Sequence, residues 1–291
     1  MSTPVAQLAR VESLRIARNP LVWLAVVPSV LWTRADRQSG DAEGRWFLLI
    51  GYGTLLPGLV LCLAMIFAVL RGRLERTEEL LASAPVGNDR RTVAHVVSTA
   101  GGAAVASLLT VGIMLAIPLD DPLGRWSPYL FEQIEVPRPS IAQLLQGPLA
   151  VVAVLAFVVA LVRWVPTWLV LLPLAFMAMV QGLFAGLWHG IPADGGRWLF
   201  PLHSGVVNGE WVGCGPEHAI CELEVSGFDS TTPWWHLGYL AAATVMFGSI
   251  AVLRHRRDRI TWSWFAVSSV FAVGLAVIQL VVADRYTGVR L

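Results

Sequence analysis

The chain contains no lysine, because all 21 of its basic residues are arginines. Lysine contacts the phosphates in P-loop proteins, forms the imine of Schiff-base enzymes and acts as the base of Ser-Lys hydrolases, so these chemistries are excluded here. If the protein depends on ATP, we expect the nucleotide to bind another polypeptide.

Charged residues are scarce as well, at 14% of 291 residues, whereas soluble domains contain about 25%. The net charge of +1 gives no reason to expect nucleic acid as a partner. Apolar residues make up 56% of the chain and lie in long runs. Since a bilayer core needs about 20 consecutive apolar helical residues, we expect one all-α integral membrane domain over 1–291.

Six segments are apolar and long enough to be spans. They are residues 46–70, 93–119, 147–162, 166–188, 237–253 and 262–283. Ser140 can cap an earlier start of the third span. The Gly-Gly-Ala-Ala run at 101–104 should allow a close helix contact. These segments predict a polytopic helical bundle.

A seventh span is expected at 20–32, although Pro28 interrupts it and a helix of this length is only about 20 Å long. Flanking arginines can snorkel to the interface, and a re-entrant segment is the alternative. Residues 4–18 predict a helix that is weakly amphipathic, since Glu12 interrupts its apolar side. No signal-peptide cleavage site follows, so we expect no removable leader.

The distribution of arginine predicts the orientation, because arginine is enriched in cytoplasmic loops. With seven spans and a cytoplasmic N-terminus, 13 of the 21 arginines lie inside and eight lie outside, spread over longer segments. The two densest clusters, 71–91 and 254–259, both fall inside. The C-terminus is then outside.

The three cysteines have different expected roles. Cys62 lies within a span and is most simply a packing residue. Cys214 and Cys221 lie in the long outer loop 189–236, where an oxidising compartment would allow a disulfide. Free thiols remain an alternative. A metal site with His218 is another, but the spacing fits no standard zinc site, and we expect no metal ligands.

The cytoplasmic loop 71–92 has the features of a short helix between two spans. Thr77 can cap it, and Glu78 and Glu79 then lie in its first turn, where the helix dipole favours them. Pro85 ends the helix after about two turns. The loop is therefore more structured than an ordinary connector.

This short helix is suited to docking into a groove of another protein. Leu80 and Leu81 would be its apolar anchors, and Glu75, Glu78 and Glu79 would form a charged rim. The alternative is a solvated connector whose glutamates neutralise nearby arginines.

The outer loop 189–236 is rich in tryptophan, glycine and histidine. Its tryptophans suit the headgroup region, so the loop is either an extracytoplasmic gate or substrate-release cap, or an aromatic anchor without a ligand. His189 and His236 flank it, and satisfied histidines are favoured there over a haem pair. Gln181 and Gln279 are the most polar residues within spans, and no catalytic or cofactor-binding group is expected.

Two segments resemble the membrane-spanning subunits of ABC-2 type ABC exporters. They are RIARNPLVWLAVVPSVLW near the start and RGRLERTEELLASAPVGNDRRTVAHVV between two spans. In that family the second segment includes the coupling helix that contacts the ATPase subunit. The resemblance places six residues in the coupling segment: Thr77, Glu78, Glu79, Leu80, Leu81 and Pro85. The family usually has six spans, so the span at 262–283 is a departure.

The resemblance implies the permease subunit of an exporter. The apolar, uncharged spans suit an amphipathic or lipid-like cargo better than ions. An arginine-only chain rich in Ala, Gly and Val is typical of a GC-rich bacterial source, so the plasma membrane is expected. The expected partners are a separate cytosolic ABC ATPase, a second copy or a paralogue of the permease, and membrane lipids, but no nucleic acid. No cofactor is expected. The alternatives are a non-transporting structural or sensory membrane subunit, and a membrane enzyme that acts at the outer face through 189–236.

Overall fold

The computed structural model describes residues 4–24, 26–27, 31, 53–74, 87–116, 141–165, 169 and 232–285. Within these ranges the chain forms helices and no strand. The main helices are α1 (Pro4–Ala17), α2 (Gly53–Leu74), α3 (Asn88–Ala116), α4 (Ile141–Trp164), α5 (Thr232–Leu253) and α6 (Arg259–Arg285). Residues 20–24 are also helical.

Four of these helices are long and apolar enough to cross a bilayer. Their apolar stretches are Asn88–Leu109, Leu144–Trp164, Trp234–Leu253 and Arg259–Gln279, and α2 contributes a shorter one, Val60–Leu70. Over the described residues, the prediction of a helical membrane protein is therefore confirmed. The number of seven spans stays a prediction, because 166–168 and 170–188 lie outside the described residues and 20–32 is described only in part.

The helix bounds agree with the predicted spans at their centres and differ at their ends. The early start of α4 is confirmed at Ile141, and Pro148 lies inside that helix. The helix predicted over 4–18 is confirmed as α1. It ends at Ala17 because Pro20 has no N–H to continue the ladder, and Asn19 Oδ1 accepts from Leu21 N (3.0 Å) to start the next helical segment.

The directions of α3 to α6 follow from paired contacts along their lengths. Gly102 of α3 faces Leu155 of α4. Towards one end of the bundle, α5 contacts both of these helices, through Val96 of α3 and Trp164 of α4. Hence α4 and α5 run parallel, and α3 runs antiparallel to both. At the other end α6 returns along α5, where Gln279 contacts His236.

The direction of α2 follows from the short connection to α3. Gly58 and Gly102 both face Val151. At 1.5 Å per residue, Leu74 lies about 24 Å from that level and Asn88 about 21 Å. If Leu74 and Asn88 lay on opposite sides of the level of Val151, they would be about 45 Å apart. That distance is almost the full extended reach of the chain between them. We infer that α2 runs antiparallel to α3, so that 75–86 begins and ends on the same side.

Small residues lie where the helices approach most closely. A Cβ atom on Gly101 would come within 2.8 Å of Ser13 Cβ and 2.9 Å of Ser13 Cα, so α1 lies directly on the backbone of α3. A Cβ on Gly248 of α5 would lie 2.9 Å from Val96 Cγ1. The close contact predicted for the Gly-Gly-Ala-Ala run is confirmed on two sides, by α1 and α4.

The apolar core lies between α2, α3 and α4. Leu61, Met65 and Leu155 are fully buried in it. Cys62 is buried in the same cluster and is a free thiol, as expected for a packing residue. By contrast, α6 packs mainly on α5 and leaves most of its apolar side chains exposed.

The contact between α1 and α3 gives a first test. We expect Gly101→Ala to lower the free energy of unfolding by about 1–3 kcal/mol, because the added methyl overlaps the backbone of α1. Gly112→Ala is the control, since no described heavy atom lies within 4 Å of a Cβ at that position. It should gain about 0.5–1 kcal/mol of helix propensity. Thermal unfolding of the detergent-purified protein measures both, and equal effects of the two variants would contradict the close contact.

Candidate functional site

Arginines from three elements meet at one end of the bundle. The start of α3, the end of α4 and the turn between α5 and α6 all reach this end. We call it the arginine end, and it consists of Arg90, Arg91, Arg163, Arg254, Arg256, Arg257 and Arg259. The sequence adds Arg71 and Arg73 in the last turns of α2. The described arginines of the two clusters that were predicted to share one side of the membrane therefore lie at one end of the bundle, while Arg76 lies outside the described residues.

Trp164 fixes the end of α4 to α5. Its Nε1 donates a hydrogen bond to Ile250 O (2.8 Å), and Arg254 Cζ lies 5.5 Å from the centre of a Trp164 ring. The hydrogen bond joins two helices, and the guanidinium gains a cation–π contact. The arginine end is therefore held together by specific contacts.

The turn between α5 and α6 has a capped, ordered structure. Asp258 Oδ1 accepts hydrogen bonds from Thr261 N (3.0 Å) and from the Thr261 hydroxyl, which caps α6. Its Oδ2 accepts from Arg256 Nε at 2.8 Å and forms an ion pair with the same guanidinium. These hydrogen bonds, those of Thr261 first, hold the pKa of Asp258 below its usual range.

The residues predicted to contact an ATPase lie outside the described residues. They are Glu75, Thr77, Glu78, Glu79, Leu80, Leu81 and Pro85. The structure does describe the two residues that flank this segment, Leu74 and Gly87. Both lie at the arginine end. Leu74 ends α2, which runs antiparallel to α3. Gly87 precedes Asn88, and its carbonyl accepts a hydrogen bond from Arg91 N (3.1 Å).

The end of α3 and the starts of α4 and α5 lie at the opposite end of the bundle. Because α4 ends at the arginine end and α5 starts at the opposite one, the chain from 166 to 231 connects the two ends. The predicted span 166–188 falls within this stretch. Most of the predicted loop 189–236 lies outside the described residues, including Cys214 and Cys221.

His236 is a buried residue in a helix contact. Its Nδ1 lies 2.8 Å from Gln279 Oε1, Gln279 Nε2 donates to Leu275 O (3.1 Å), and both side chains are fully buried. His236 is therefore a satisfied histidine, as predicted, with its ring between α5 and α6, whereas His189 lies outside the described residues. Hydrogen bonds of this kind hold helices together in membranes.

Glu12 and Gln146 are among the buried polar side chains that were not recognised from the sequence. Glu12 is buried beside Arg15, and its place on the apolar side of α1 was the signal. Gln146 of α4 is also fully buried, and neither of its amide atoms has a hydrogen-bond partner within the described part of the chain. Glu12 lines a cleft between α1 and α2.

Within the described ranges, no three histidine, cysteine or acidic side chains lie close enough together to bind a metal ion. Comparisons with protein-family models, with curated proteins and with solved structures give no match for this chain. The features that bear on function are therefore the arginine end and the segment that leaves and re-enters it.

The cap of α6 predicts a specific pH dependence. A carboxyl whose pKa is lower in the folded chain stabilises the fold above its unfolded pKa, and this contribution is lost as the pH falls through the folded value. We therefore expect Asp258→Ala to lower the unfolding temperature by a constant amount between about pH 5 and 7. The difference should shrink below pH 3.8, the ordinary value for this carboxyl.

Asp258→Asn separates the cap from the charge in the same experiment. Asparagine keeps an acceptor for Thr261 N but cannot form the ion pair with Arg256, so a smaller loss is expected. A difference between wild type and Asp258→Ala that does not change down to pH 2 would contradict the assignment.

The contact of His236 with Gln279 predicts energetic coupling. We expect Gln279→Leu to destabilise the protein by about 1–3 kcal/mol, because it removes the hydrogen bond that Gln279 makes with a buried ring nitrogen. In a double-mutant cycle with His236→Leu, the coupling energy should be about 0.6 kcal/mol, a typical value within membranes. Strictly additive effects on unfolding in detergent would contradict the hydrogen bond.

Proposed function

We propose that this chain is the membrane-spanning subunit of an ATP-driven exporter of the ABC-2 type. The hydrolytic subunit is a separate cytosolic ABC ATPase, since the chain has no lysine for a P-loop. The segment 77–85 is the coupling helix that docks into that ATPase, as its resemblance to the family implies. The bundle forms the translocation path with a second copy or a paralogue.

One observation carries the proposal: the predicted coupling segment leaves and re-enters the bundle at the arginine end. Because arginine-rich loops face the cytoplasm, this arrangement supports a cytoplasmic position of 75–86, on the side where an ATPase and its nucleotide are found. The N-terminal residues up to Arg18 are assigned to the same side, and the opposite end faces the exterior. The membrane is the bacterial plasma membrane.

The helix contacts describe how force would pass from the ATPase into the bundle. Closure of two ATPase subunits on nucleotide would pull the 77–85 helix and tilt α2 and α3, to which it is joined. The close contacts of Gly102 with Leu155, and of Val96 with Gly248, leave α3 little room to slide against its neighbours. A tilt of α3 should therefore move α4 and α5 with it, because close-packed interfaces transmit displacement.

The cargo is expected to be amphipathic. No acidic side chain lies near the centre of any of the four long apolar stretches, so ion-coupled transport is disfavoured. Apolar helix surfaces suit a lipid-like molecule better than an ion. The rival functions, a non-transporting membrane subunit and an outer-face enzyme, require no ATPase partner.

The proposal predicts that docking variants uncouple the two subunits. We expect Leu81→Asp or Ala82→Arg to abolish stimulation of the partner ATPase by the permease, because each places a charge in an apolar contact. Membrane insertion should be unchanged. The measurement is ATPase activity of the complex, isolated by affinity purification of the full-length permease from native membranes.

His255→Arg is the control for these variants. It adds a charge at the arginine end, but in the exposed turn between α5 and α6, so stimulation should be retained. If no P-loop ATPase co-purifies, or if both docking variants stimulate as well as wild type, the proposed function is wrong. Loss of an activity on replacement of single histidines of 189–236 would instead favour the outer-face enzyme.

A further inference from the structure

A cleft of about 750 Å³ lies between α1 and α2. One wall is the second half of α1 with the turn that follows it, residues 11–20. The other wall is the face of α2 that carries Ala64, Phe67 and Ala68 at helical spacing. The two alanines leave the space that the cleft occupies.

The α1 wall carries the charge of the cleft. Glu12 Oε1 accepts a hydrogen bond from Arg15 Nη1 at 2.8 Å, and the side chain of Glu12 is only 11% exposed. The carboxylate is therefore neutralised within the wall. Arg15 is 56% exposed and uses one of its five N–H donors on Glu12, so the remaining donors can reach a ligand.

Arg18 adds a second guanidinium, one turn after Arg15. It is exposed and lines the same cleft. Counting Glu12, Arg15 and Arg18, the cleft has a net charge of +1, which favours an anion. Guanidinium groups bind phosphate well because their planar fork of donors matches the phosphate oxygens.

The α2 wall favours an apolar chain. Phe67 is 63% exposed, and Leu63, one turn before it, is also exposed. Ala68 lies three residues before Arg71 in the sequence, near the level where α2 meets the arginine end. A molecule in the cleft would thus have its polar group beside the arginines and its tail along apolar side chains of α2.

We propose that this cleft binds an anionic phospholipid from the bilayer. Arg15 and Arg18 bind the phosphate of the headgroup, Glu12 holds Arg15 in place, and an acyl chain lies against Phe67 in the space beside Ala64 and Ala68. Basic residues near a membrane surface attract the phosphates of anionic lipids. The site does not depend on the proposed transport function, because lipid binding needs no ATPase.

The test uses two lipids with the same acyl chains. The full-length protein is purified in a neutral detergent and titrated with dioleoylphosphatidylglycerol or dioleoylphosphatidylcholine, and the bound lipid is counted by native mass spectrometry. We expect wild type to bind the anionic lipid about fivefold more tightly, the effect of one basic residue near a headgroup.

Four variants identify the site. Arg18→Gln should remove the preference, while Arg10→Gln, an exposed arginine of α1 outside the cleft, should keep it. Ala68→Leu fills the cleft and should weaken binding of both lipids, whereas Ala104→Leu, at an exposed alanine of α3, should not.

Three results would overturn the proposal. The first is equal binding of the two lipids by wild type. The second is an equal loss in Arg10→Gln and Arg18→Gln, which would mean that headgroup charge acts without a site. The third is unchanged binding in Ala68→Leu. None of these results depends on ATPase stimulation. The lipid site and the proposed function are therefore tested independently, and either can be wrong while the other is right.

Discussion

Hydrocarbon excludes charge, and this constraint organises the whole bundle. A guanidinium within the bilayer is so costly that arginine collects at the ends of spans. Here the start of α3, the end of α4 and the turn from α5 to α6 bring their arginines to one end, where Trp164 and Asp258 fix the geometry. The segment 75–86 leaves and re-enters the bundle at this same end.

The helices are joined in two ways that suit a membrane protein. Glycines allow backbones to approach closely, as between α1 and α3 at Gly101 and between α3 and α5 at Gly248. A hydrogen bond between fully buried side chains joins α5 to α6 through His236 and Gln279. Since lipid is as apolar as leucine, such contacts specify partners where burial of apolar surface alone would not. Among the described helices, α3 contacts α1, α2, α4 and α5.

Much of the fold could be predicted from the sequence, because span length and arginine distribution are local signals. The apolar runs predicted the centres of α2 to α6, and the Gly-Gly-Ala-Ala run at 101–104 predicted a close contact between helices. Helix ends were less accurate: α3 starts at Asn88, because polar residues continue a helix beyond the hydrocarbon. The burial of Glu12 and Gln146 was missed, since it depends on which faces meet. The residues of the coupling segment remain a prediction.

The central claim is that residues 77–85 face the cytoplasm. Its most direct test is cysteine labelling in intact cells, with Ser83→Cys in a chain whose Cys62, Cys214 and Cys221 are serine. The account predicts that a membrane-impermeant maleimide labels Ser83→Cys only after the cells are opened, while Thr231→Cys, beside the start of α5 at the opposite end, is labelled in intact cells. Labelling of Ser83→Cys in intact cells would contradict the account, because no cytosolic ATPase could then reach the segment.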